Sequence, residues 1–159
     1  MEQVASLIQA MLAPGIMISA CGLLILGMNN KYSLVVNRIR ALNEEKRRYA
    51  KSADTKDFEY FDEMRLKSIS VQLNFLIVRL ALVKNAVVCY SVGVGCFVIT
   101  SIWIGLGMVV TKTELLNFGI FSILFFVLGM CIVLAGITFA ARESIKGYEI
   151  VSFELKADE

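Results

Sequence analysis

The sequence predicts an all-α integral membrane protein with three transmembrane helices and a cytoplasmic antiparallel helical hairpin between the first and second. Three observations predict it. Of 159 residues, 57% are hydrophobic and only 19% charged, which is too apolar for a soluble domain of this size. Three runs carry no charged side chain, Val4 to Met28, Ala86 to Val110 and Leu115 to Ala141, and each exceeds the roughly 20 residues that cross a bilayer. Basic residues crowd the segment between the first two runs, where Lys31, Arg38, Arg40, Lys46, Arg47, Arg48 and Lys51 are followed by Arg79 and Lys84. Strand alternation is absent, so helices must satisfy the backbone in the hydrocarbon.

The first span covers about residues 5–28. A cleaved signal peptide would carry a basic start and a shorter apolar core; this run is long and preceded by Glu2, so it is read as a retained helix. Pro14 frees the carbonyl of Ala10 and is expected to shape the bundle. The stretch "GLLILGMNNKYSLVVNRIRALNEEKRR", Gly22 to Arg48, then changes from uncharged to densely charged within about one helical turn. Its edge at Asn29 and Asn30 is read as the cytoplasmic membrane surface.

The cytoplasmic hairpin covers about residues 30–85. Tyr32, Val35, Ile39, Leu42 and Tyr49 keep a three-four spacing broken only at Lys46, so the first span is expected to continue as one helix. "KSADTKD", Lys51 to Asp57, interrupts it, and Asp54 or Thr55 can cap a returning helix whose first turn holds Asp57 and Glu59. The expected seam of that helix is Phe61, Met64, Val71, Phe75 and Val78, with Ser68 in a polar slot. From Ile69 to Leu82 the arm is apolar on nearly every face, more than one partner helix covers. A homo-oligomer is the preferred explanation and an unidentified membrane partner the alternative. The cluster Lys46, Arg47, Arg48 and Lys51 lacks interleaved stacking aromatics, so it reads as a solvated hairpin tip, with no nucleic-acid partner expected.

The second and third spans, about residues 86–110 and 115–141, are joined by "TKTELL", where Thr111 and Glu114 fit a capping box. A cytoplasmic tail, 142–159, follows, its conformation open. Positive charge near span ends sets orientation, and Lys112 alone opposes the basic segment. The N-terminus is therefore expected outside and the C-terminus in the cytoplasm, in the inner membrane.

Helices in lipid approach closely through small residues. Gly15, Ser19, Gly95 and Gly105 are candidates for such packing, and in the third span Ser122, Gly129 and Gly136 recur every seven residues, with Glu143 in the same phase. That series reads as a packing stripe or as the wall of a narrow pore with Glu143 at its inner mouth; Thr100 and Thr138 are the other lining candidates.

Chemistry is sparse. There is no histidine, and Cys21, Cys89, Cys96 and Cys131 all lie in apolar runs, where thiols behave as small hydrophobes. No phosphate loop, nucleophile elbow or paired acidic motif occurs. No enzyme activity, cofactor or metal is expected.

The residues Pro14, Ser19, Gly22, Leu23, Leu24, Asn30, Lys31, Val35, Val36, Arg38 and Arg40, within "APGIMISACGLLILGMNNKYSLVVNRIR", carry a resemblance. The chain resembles the bacterial membrane family called domain of unknown function 2721, departing from it at Lys31, where arginine is expected, and at Asn37, where an acid is common. That resemblance covers nearly the whole chain and implies no established activity. The topology is also similar to stator subunits of the ExbB, TolQ and MotA kind and to insertases of the YidC kind. The stator resemblance implies assembly around an axis and favours a pentamer. An insertase needs a polar groove within the membrane, which these spans lack. The expected function is thus a homo-oligomeric pore-forming, channel-like or stator-like subunit, with a scaffold recruiting a partner through the hairpin as the alternative and an insertase behind both.

Overall fold

A computed structural model describes residues 2–52, 60–109 and 115–157. They form three helices: α1, Glu2–Ser52; α2, Tyr60–Val109; and α3, Leu115–Ala157. α1 is continuous through Pro14 and through the charge edge at Asn29 and Asn30. α3 is continuous through Gly147, so the expected tail is helical as far as Ala157; one interior glycine costs only about 1 kcal/mol against alanine. The expected caps at Asp54 and Thr55 and the turn containing Thr111 and Glu114 lie outside the described residues.

Each helix contains a stretch apolar enough to cross a membrane: Ile8–Lys51, Met64–Gly107 and Gly119–Tyr148. The first two are 44 residues long, over twice what a bilayer needs. A charged side chain is costly in hydrocarbon, and each helix carries most of one of the uncharged runs within its apolar stretch. Glu143 lies two positions beyond the last of them, which ends at Ala141.

The chain divides into two compact units, Met1–Met28 with Asn85–Phe139, and Asn29–Lys84 with Ala140–Glu159. In the first unit, α2 and α3 approach closely at glycines. A Cβ placed on Gly93 would lie 2.5 Å from Val133 Cγ2, and one on Gly136 would lie 2.7 Å from Tyr90 Cε1. Tyr90 and Phe97 are fully buried, and Phe97 packs against Phe126 with ring centroids 5.5 Å apart. Outside this seam the surface is apolar, with Leu23, Leu26, Ile123 and Leu134 exposed, as a surface facing lipid requires.

The second unit packs Val35 and Leu42 of α1 against Ile69, Leu73 and Leu76 of α2, with Ile39, Tyr49 and Leu80 partly buried at the edge. This corrects the expected α2 seam. Met64, Ser68, Val71, Phe75 and Val78 are exposed, while the side chain of Phe61 lies outside the described residues. Apolar residues stand on nearly every face of this arm, so hydrophobic spacing alone does not select the packed one. Arg65 bridges Glu45 at 2.9 Å on the surface, a pair of the kind that contributes little.

Candidate functional site

The one buried acid among the described residues organises the second unit. Glu143 on α3 is 1% exposed. Its Oε2 accepts a hydrogen bond from Lys31 Nζ of α1 at 2.9 Å, and its Oε1 accepts from Arg79 Nη2 of α2 at 2.7 Å and from Nε at 3.3 Å. Lys31 Nζ also donates to Ser144 Oγ at 2.9 Å. Three helices therefore converge on one carboxylate. Gly147, one turn beyond Glu143, leaves room for this arrangement, because a Cβ there would lie 3.0 Å from Arg79 Nη2.

Two cations share a single anion, so the cluster carries an excess positive charge. Burial pushes the Glu143 carboxyl up, but the hydrogen bonds and charges of Arg79 and Lys31 outweigh it and hold the group below the ordinary glutamate value. Beside the cluster is an open groove of about 510 Å³, lined by Lys31, Arg79, Glu143 and Ser144 together with Leu34 and Tyr148.

The residues singled out from sequence fall into separate settings. Ser122, Gly129 and Gly136 are buried on α3 in the first unit. A Cβ on Gly129 would lie 2.9 Å from Phe97 Cε1, and Gly136 faces Tyr90, so side chains of the same chain cover these two glycines. Ser122 and Thr100 line a small cavity with Pro14, and Thr100 Oγ1 donates to Cys96 O at 2.9 Å. Thr138 is exposed and donates to Ala135 O at 2.7 Å. Glu143 belongs to the second unit, where both its oxygens are taken by cations of its own chain.

Within the chain, the packing candidates are open. Gly15, Gly95 and Gly105 meet no atom of another helix within 4 Å, and Ser19 is exposed with its hydroxyl donating to Gly15 O at 3.2 Å. The close approaches are at Gly93, Gly129 and Gly136. From the sequence alone, Lys31 and Arg79 read as orientation markers, and neither Gly147 nor Ser144 stands out. A signal was present: two cations and one acid of complementary sign stand just beyond uncharged runs on three different helices.

Three long apolar helices, a lipid-compatible surface and charges kept outside the uncharged runs define a multi-pass α-helical membrane protein. The chain belongs to the family described as protein of unknown function (DUF2721), whose pattern matches residues 11–152, the family that the stretch from Ala13 to Arg40 resembles. No curated protein and no solved structure matches it.

Proposed function

We propose that this chain is a non-enzymatic membrane scaffold that self-associates and presents its charged hairpin in the cytoplasm. One observation carries the reading: outside the uncharged runs, α2 exposes Val71, Phe75, Ile77 and Val78, with Phe75 50% exposed. Such a face in water calls for a partner. A second copy is the proposed partner, because small residues left open in the first unit, Gly15, Ser19 and Gly22, give a like chain a place for close approach within the lipid. Phe75→Glu and Val78→Glu are expected to convert the assembly to monomer while the protomer stays folded, as read by native mass spectrometry in mild detergent. A clean wild-type monomer, or an assembly indifferent to both changes, would sink the proposal.

The channel-like alternative draws on the same self-association, but its proposed lining is engaged within the protomer. Gly129 and Gly136 are covered by α2, and Glu143 is paired. The scaffold reading therefore predicts no cation flux from liposomes carrying the purified assembly. Flux that falls in Glu143→Gln would restore the channel. The orientation is tested in a cysteine-free background: Lys51→Cys is expected to react only from the cytoplasm and Lys112→Cys only from outside, and the opposite pattern would reverse the topology.

A further inference from the structure

The ion cluster and its groove can be read together. Lys31 Nζ spends two of its three protons on Glu143 and Ser144, and Arg79 directs Nε and Nη2 to Glu143. One ammonium proton and the Nη1 pair of Arg79 have no protein acceptor among the described residues, and Lys31 is 44% exposed. The net charge is positive, and the groove beside it has room for more than a single water or ion. Its lining combines the donors of Lys31, Arg79 and Ser144 with the apolar side chains of Leu34 and Val35 and the exposed ring of Tyr148. All of these residues belong to the second unit. Lys31 stands three positions beyond the uncharged run that ends at Met28, and Glu143 two beyond Ala141.

From this geometry we infer that the groove binds a phosphate-bearing ligand, with Lys31 and Arg79 on the phosphate and Leu34 and Tyr148 against the adjoining apolar part. A phosphate monoanion or diester supplies the acceptor oxygens that the spare donors lack and offsets the excess positive charge. Glu143 then acts as a positioning residue, fixing the guanidinium and ammonium rather than touching the ligand. Tyr and Lys side chains of this kind serve the headgroup level of a bilayer, where an aromatic ring lies between apolar and polar zones. The same chemistry is offered by an anionic phospholipid headgroup and by free phosphate.

The test uses the full chain in nanodiscs of phosphatidylcholine with or without phosphatidylglycerol, and in detergent with inorganic phosphate. Native mass spectrometry counts retained lipid, and thermal unfolding reports the shift produced by each addition. Wild type is expected to retain phosphatidylglycerol over phosphatidylcholine. Lys31→Gln, which keeps the Arg79–Glu143 pair, should weaken that retention about fivefold, the effect of one cation at an anionic headgroup. Lys67→Gln, a change at an exposed cation outside the groove lining, should leave it unchanged. Tyr148→Ala, at a 77% exposed position, should also weaken retention without unfolding the protein. Stabilisation by inorganic phosphate equal to that by phosphatidylglycerol, lost in Lys31→Gln, would assign the groove to a soluble phosphate while upholding the chemistry. Equal retention of the two lipids with no phosphate effect, or a preference that survives both Lys31→Gln and Tyr148→Ala, overturns the site.

Discussion

Gly136→Leu is expected to separate α2 from α3 and to lower the stability of the protomer by about 3 kcal/mol, the upper end of what overpacking a tight interface costs. A Cβ at this position would lie 2.7 Å from Tyr90 Cε1 and 3.1 Å from Cys89 Cβ. The obstacle is therefore a fully buried ring together with an atom fixed to the neighbouring backbone. Neither moves without opening the helix pair. In lipid the loss is not made up elsewhere, since association of spans depends on close packing rather than on expulsion of water. Thermal unfolding in detergent should show a large drop for Gly136→Leu and little change for Gly15→Leu, which meets no neighbour within 4 Å. Gly15→Leu is instead expected to disturb self-association alone. If both variants unfold like wild type, the α2–α3 contact is not what holds the first unit together.

The parts of this structure that were legible in the sequence are those governed by composition. Uncharged runs longer than a bilayer needs gave three long helices. What was not legible depends on choosing one face among several similar ones. On the arm from Ile69 to Leu82, Val71, Phe75 and Val78 look as suitable for burial as Ile69, Leu73 and Leu76, and only packing against Val35 and Leu42 decides. Among glycines, Gly95 and Gly129 have equal standing as letters. One is open and the other lies against Phe97, because a close approach is a property of two helices at once. The ion cluster was hidden for a related reason: its members are separated by up to 112 positions along the chain. Each looked complete as an orientation signal or as the end of a series.

Arg79→Ala should reveal what that cluster contributes. It removes the closest partner of Glu143 and leaves a carboxylate that is 1% exposed with Lys31 as its main counter-charge, so stability is expected to fall by about 3 kcal/mol, the low end for breaking a buried pair since Arg79 is itself partly exposed. Lys31→Ala should cost less, because Lys31 is the more exposed cation and makes one bond to the carboxylate where Arg79 makes two. Adding Glu143→Leu to Arg79→Ala should recover part of the loss, since it removes the stranded charge that causes it. The pH dependence has a definite sign. The folded-state value of Glu143 lies below its ordinary value of 4.5, so the unfolded chain binds its proton first as pH falls. The stabilisation is complete above 4.5 and disappears as pH drops through the lower, folded value. Other carboxylates titrate in the same region, so the informative quantity is the difference between wild type and Glu143→Gln. That difference in unfolding midpoint should be constant from neutral pH down to the ordinary glutamate range and then shift against wild type on further acidification. A difference that stays constant throughout, together with an Arg79→Ala variant as stable as a change at the exposed Glu45–Arg65 pair, would show that the cluster is a surface ornament and that helix packing alone maintains the second unit.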